Sequence, residues 1–305
     1  MAHPISGIFL RDGAITVGIG PDCGGSLTRF DVRIGEKNVD VLRPWAEPPP
    51  GLYRSLGAAC FPLVPYGGRL REGCFNFGGR RFQHPLNALP ERHSSHGDGW
   101  TRPWNLDHLD HRQAIMSLDA DAAAPFAYRC VQILTLTPTG LSITLSAQNL
   151  CPYRVPMGFG LHPYFANRLQ ARVTMTAPRR WRWDAQMMPV AEESNPDVDG
   201  FSNGQSVAHL PVAAEYADWD GTAVIDWPDS RLRVKLQTRP PLQHVVMWMP
   251  EGEDFFCFEP ISHASDALNR QTMAGFVDGF TVLEPNAMAE QTFDFQVSLI
   301  DPGLP

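Results

Sequence analysis

The chain has 305 residues, 43% of them hydrophobic and 19% charged, which supplies enough apolar side chain for a sizeable core and excludes a largely disordered polymer. Its formal net charge is −8, with 25 Lys and Arg against 33 Asp and Glu and no basic run, so nucleic acid and an anionic membrane surface are excluded as expected partners. Six cysteines (Cys23, Cys60, Cys74, Cys130, Cys151 and Cys257) form no CxxC pair and read as reduced thiols. The first ten residues lack the basic and apolar regions of a signal peptide, and no stretch approaches the ~18 apolar residues of a membrane span, so a cytoplasmic location is expected.

In chain order the sequence reads as strands parted by turns. Residues 14–20 and 27–34 alternate apolar and polar side chains on either side of Gly24-Gly25, the period-2 pattern of half-buried strands. Residues 128–150 read as a hairpin. On its outgoing arm Val131 and Ile133 share one face while Leu134 and Leu136 fall on the other, which predicts a strand covered on both sides. Thr137-Pro-Thr-Gly140 supplies the turn, and Leu141, Ile143 and Leu145 alternate with Ser142, Thr144 and Ser146 on the return. Further strands are expected over 171–177, 221–227, 232–238, 244–249, 279–283 and 292–300. Helical signals are few: Ser265, ahead of Asp-Ala-Leu-Asn-Arg-Gln, can cap one or two turns. The 28 prolines and 26 glycines are spread evenly, with no linker, repeat or shift of composition, so one all-β domain over 1–305 is expected. An antiparallel domain of about a dozen strands or more closes a barrel or packs two sheets, and its ligand site is a groove of polar and aromatic side chains.

Four segments carry possible chemistry. In Pro65-Tyr-Gly-Gly-Arg-Leu70 glycines bring the backbone close to whatever Arg69 addresses, or simply turn the chain. His93-Ser-Ser-His-Gly97 holds two histidines three apart, a spacing repeated by His108 and His111. It suggests metal ligands, although no cysteine lies near and no helical pattern sets them on one face. In Gly158-Phe-Gly-Leu-His-Pro-Tyr-Phe165, His162 is either a satisfied strand-end histidine or an imidazole held at a set angle by its rigid neighbours. In Phe255-Phe-Cys-Phe-Glu-Pro260 a carboxylate stands inside an apolar run, which requires either a salt bridge or a raised pKa. Trp100, Trp104, Trp181, Trp183 and Trp219 offer rings for the C–H face of a sugar, and each also suits a core.

Taken together these segments resemble the aldose 1-epimerases. Pro-Tyr-Gly-Gly-Arg-Leu, His96-Gly97, Gly160-Leu-His-Pro-Tyr-Phe165 and Glu259-Pro-Ile-Ser-His-Ala-Ser-Asp-Ala-Leu-Asn269 are similar to that family's motifs, in the same order and across most of the chain. The resemblance implies a β-supersandwich of antiparallel sheets with few short helices, and a small-molecule sugar as substrate without cofactor or metal. It implies Glu259 as general base and His162 as general acid, His96 and Arg69 as ligands of sugar oxygens, and Tyr164 and Trp219 as aromatic contacts. Two positions depart from it: Gly68 stands before Arg69 where members commonly have Asn, and Ala213 stands where galactose-handling members carry Asp. Three alternatives accompany it. A hexose-6-phosphate epimerase would draw on Arg71, Arg80, Arg81 and Arg92 for the phosphate. A non-catalytic sugar-binding protein would keep the fold alone. A metal-dependent enzyme would use His93, His96, His108 and His111.

Overall fold

Alternating apolar side chains drive the chain into two large sheets, seen in a computed structural model that describes residues 7–88, 90–121, 125–270 and 279–301. Every strand pair within these sheets is antiparallel. The first has eleven strands and runs through Ser26–Ile34, Lys37–Leu42, Gly160–Ala166, Phe255–Ile261, His244–Trp248, Ala213–Ala217 and Arg179–Trp183, with Cys60–Leu63 bonded to both Gly160–Ala166 and Ser26–Ile34. The second has nine and centres on Tyr128–Thr137, Gly140–Asn149, Met288–Leu299, Leu232–Arg239 and Thr222–Trp227. Helix is confined to short turns, among them one α-helical turn at Val198–Ser202 and a 3-10 turn at Ala267–Asn269. The latter is what becomes of the cap expected at Ser265, the last residue of that segment, Gln271, lying outside the described residues. No helix among the described residues is long and apolar enough to cross a membrane.

The expected hairpin forms in register, Tyr128 opposite Asn149 and Thr137 opposite Gly140. Gly140 is required by close approach, since a Cβ there would stand 1.7 Å from the carbonyl oxygen of Phe295 on the next strand. The outgoing arm is not covered on both sides. Tyr128, Cys130, Gln132, Leu134 and Leu136 turn to the core, whereas Val131 and Ile133 lie half-buried on the outer face beside Ser146 and Thr144 of the return arm. Cross-strand neighbours, not a second layer, shield them.

Gly160–Ala166 and Phe255–Ile261 are sealed on both faces, every residue of each being buried. Strand alternation gives each of them two apolar faces with different tasks. One face fills the space between the sheets: Phe165 stacks on Phe256 at 5.4 Å and approaches Phe295 at 6.4 Å and Trp227 at 6.1 Å. The other carries Tyr164, Cys257 and Ile261, which pack with Phe61, Leu63, Trp100, Val246 and Phe255 as a separate cluster beneath the loops. Phe165→Ala is expected to cost about 3–5 kcal/mol, as an aromatic deletion between tightly packed sheets does. Urea titration checks this, with an unchanged m-value showing that the denatured state is unaffected.

Candidate active site

Strand register assembles the centre of the site. Phe61 faces His162 on one side. On the other, Gly160 pairs with Ile261 and Tyr164 with Cys257, which sets His162 opposite Glu259. Val246 faces Glu259, Glu215 faces Val246, and Trp181 faces Glu215. One row of side chains thus crosses six strands, and its second and third members form an ionisable pair: His162 Nε2 lies 3.3 Å from Glu259 Oε1.

Flat groups hold the imidazole. Tyr164 stacks on it at 4.7 Å and Phe61 packs against it, tilted, at 4.5 Å, those two rings being 6.1 Å from each other. Beyond Phe61 comes Trp100 at 5.3 Å, and beyond Tyr164 the Arg43 guanidinium at 3.7 Å. Cation–π attraction and two aromatic contacts therefore fix the ring that would move a proton.

Loops bring the remaining groups. Arg69-Leu70 pairs with Ser94-Ser95, and the Gly68 N–H donates to His96 Nδ1 at 3.2 Å. A backbone N–H can only donate, so His96 carries its proton on Nε2 and is a hydrogen-bond donor there. Gly68 has a left-handed φ of 65°, and a Cβ on it would stand 2.3 Å from Ser265 Oγ. A side chain at this position is therefore incompatible with Ser265, which gives the departure at Gly68 a steric reason. Ser265 Oγ also accepts the Arg69 N–H at 3.4 Å, and the Ser265 N–H donates to Glu215 Oε1 at 2.8 Å. His263 braces the same loop, accepting the Gly67 N–H at 3.2 Å on Nε2 and donating from Nδ1 to Ala264 O at 2.8 Å. Asn87 ties down the other loop by donating to Ser95 O and Gly97 O, each at 2.7 Å.

Glu259, His162, His96, Arg69 and Tyr164 all line one cavity of about 840 Å³. Trp219 does not: it is buried in the core, donates its N–H to Thr222 O at 2.8 Å and packs edge-on against Phe258. Trp100, Trp183 and Trp248 line the cavity instead. Ala213 lines the cavity too. Arg71, Arg80, Arg81 and Arg92 lie elsewhere: Arg71 pairs with Asp266, Arg92 with Glu72, Arg80 covers Tyr153 and Arg81 reaches Cys74. The four histidines considered as metal ligands are also dispersed. His93 accepts the Glu72 N–H, and His108 faces Asp110 on an exposed strand. The ligand atoms that do converge, within 4.8 Å of one another, belong to His96, His162 and Glu259. The Gly68 N–H on His96 Nδ1 favours the tautomer whose Nε2 lone pair is occupied by a proton, which opposes metal binding through that nitrogen.

Burial dictates the charges. It pushes the Glu259 pKa up to about 8, the Arg69 cation opposing and the nearby Glu215 carboxylate adding to the rise. Burial also drives His162 well below its usual value, helped by His96 and Arg43. The resting pair is therefore neutral at pH 7, with one proton held on Glu259. Glu259 Oε2 and His162 Nδ1 find no protein partner among the described residues.

Two outcomes follow. Gly68→Ala places a Cβ at positive φ and is expected to cost about 1–2 kcal/mol from backbone strain alone. Adding Ser265→Gly should relieve the clash and leave that strain, as a double-mutant cycle in urea would report. The second outcome concerns pH. A Glu259 carboxyl that keeps its proton to about pH 8 when folded, against 4.5 ordinarily, makes the folded state bind more protons between those values. Its contribution to stability then falls as pH rises, by up to about 1.4 kcal/mol per pH unit. Glu259→Gln should gain on the wild type progressively from pH 4.5 to 8 in thermal melts; a difference constant with pH would contradict burial as the cause.

The comparisons with known proteins agree with this architecture. The Escherichia coli K12 protein YphB, itself uncharacterised, is 30% identical over 223 residues, covering 70% of this chain and 76% of its own. A crystal structure of a candidate aldose 1-epimerase from Escherichia coli K12 superposes with a TM-score of 0.84 at 27% identity, over 96% of this chain and 99% of that one. A galactose mutarotase-like protein from Clostridium acetobutylicum shares the fold, with a TM-score of 0.81 at 20% identity over 96% and 95% of the two chains. The aldose 1-epimerase family model matches residues 9–295, and the chain belongs to that family.

Proposed function

We propose that the protein is a cofactor-independent mutarotase, interconverting the α and β anomers of an aldose by acid–base ring opening and closure. The observation that carries this reading is the buried His162–Glu259 pair, 3.3 Å apart on the wall of a cavity. Anomer exchange needs one proton taken from the C1 hydroxyl and one given to the ring oxygen O5 as the C1–O5 bond breaks. The open aldehyde turns about C1–C2, and closure on its other face reverses both transfers. No electrons move and no group leaves, so one acceptor and one donor meet the whole requirement.

The pair offers both in either of two arrangements of equal net charge. With Glu259 ionised and His162 protonated, Glu259 is the base and His162 the acid, the roles that the family resemblance implies. With both neutral the roles exchange. Because closure is opening run backwards, one cycle uses each group in both senses. In this reading His96 Nε2–H and Arg69 donate to sugar oxygens, and Tyr164, Trp183 and Trp248, which line the cavity, offer rings to C–H faces. Six free thiols fit the reducing cell interior in which we place the protein.

Polarimetry or NMR of freshly dissolved α-anomers across a panel of aldoses tests the reading. Wild type should hasten equilibration. Glu259→Gln and His162→Asn should each lower kcat by about 10²–10⁴-fold, the usual worth of a positioned acid or base. Equilibration by both variants at the wild-type rate would sink the proposal. Sugar binding without acceleration by the wild type would favour a binding protein on the same fold.

A further inference from the structure

Two arginines line the cavity, and they are not in the same state. Arg69 is paired with Glu91 at 3.2 Å. Arg43 has no carboxylate within ion-pair distance among the described residues. Its Nε donates to Ala58 O at 3.0 Å and its Nη2 to Leu56 O at 2.5 Å, while its plane lies between Tyr164 at 3.7 Å and Phe255 at 4.4 Å. Carbonyls and rings orient the fork without discharging it, and Nη1 keeps its N–H groups for another acceptor. Besides Glu259 and Glu91, two further acidic residues share the cavity wall. Glu47 lies 3.9 Å from Arg54, and Glu253 is exposed to solvent, so neither neutralises Arg43.

The position of this cation matters as much as its charge. The Arg43 N–H donates to Tyr164 O at 2.8 Å, which sets Arg43 beside the residue two places along the strand from His162. Two strand residues span roughly 7 Å, about the reach across a pyranose from C1 to the substituent on C6. A sugar with C1 at the His162–Glu259 pair would thus turn its far end toward a half-buried, oriented guanidinium. A neutral hydroxymethyl group there leaves the fork's charge unanswered, whereas an oxyanion meets it with a charge-assisted bond.

We propose that the cavity takes an aldose bearing an oxyanion on the carbon remote from C1, either a uronate carboxylate or a 6-phosphate, with Arg43 as its ligand. This rests on the mutarotase reading and names the substrate class of the same site. The experiment is NMR mutarotation and calorimetric binding with D-glucuronate, D-galacturonate, the two hexose 6-phosphates and the parent hexoses, at low and high salt. One anionic class should exceed its parent sugar in kcat/KM by about tenfold or more, the worth of one hydrogen bond to a charged group. Salt should erode that preference. Preference for the uronates identifies a carboxylate, and preference for the phosphates a phosphoryl group. Arg43→Gln should lower the anionic substrate about 10–100-fold more than its neutral parent, and Arg43→Lys should keep part of the preference by keeping the charge.

The wild-type comparison stands whether or not the variants fold. Parent hexoses turned over as well as both anionic classes, or an Arg43→Gln effect equal on all of them, would overturn the anionic subsite and leave the mutarotase reading intact. Anions bound through Arg43 but never equilibrated by the wild type would overturn the mutarotase reading and leave the subsite.

Discussion

A carboxyl and an imidazole facing one another across a single strand pair, shut away from water, set the terms for everything around them. Neither charge is affordable alone at that depth, so burial pushes Glu259 to hold its proton and His162 to release its own. The result is a neutral pair whose proton rests on the carboxyl. Backbone amides on neutral rings, such as Gly67 and Gly68 N–H on His263 and His96, surround it. They supply fixed dipoles beside the charges of Arg69 and Arg43, which also bear on the pair.

The sheet makes such a pair possible because its register is over-determined. Gly160–Ala166 and Phe255–Ile261 are apolar on both faces, so a slip of one residue would send His162 and Glu259 into the intersheet core and bring Phe165 and Phe256 to the cavity. The core aromatics therefore act on the chemistry at a distance: the stack of Phe165 on Phe256 holds the phase of both strands. Loops then add what the sheet does not supply. Arg69, His96 and Ser265 come from segments braced by His263, Asn87 and Glu215 through hydrogen bonds to the backbone.

How much of this the sequence discloses depends on how local the cause is. The 128–150 hairpin is legible because its alternation and turn lie within a few residues of each other. The cost of Glu259 in its apolar run is legible for the same reason, and four short motifs were enough to point to the fold and to Arg69, His96, His162, Tyr164 and Glu259 on the cavity wall. Glu215 is silent in Ala-Ala-Glu-Tyr-Ala, since the group that satisfies it, the Ser265 amide, is 50 residues away. Trp219 follows a turn at Asp218, whose φ is 56°, and lies in the core, whereas Trp248 stands on the cavity wall, and neither location is written in the neighbouring residues. Val131 and Ile133 mislead because an apolar side chain on an outer sheet face needs only its cross-strand neighbours for shelter. Arg43 follows an unremarkable strand end, and what distinguishes it is an absent carboxylate, which no local pattern records.

The rings packed on His162 have one more consequence. Tyr164 at 4.7 Å and Phe61 at 4.5 Å both lie against the imidazole, so a turn of that ring about its Cβ–Cγ bond has to displace a neighbour. The nitrogen that faces Glu259 is thereby kept facing it, and the two ring nitrogens keep different surroundings.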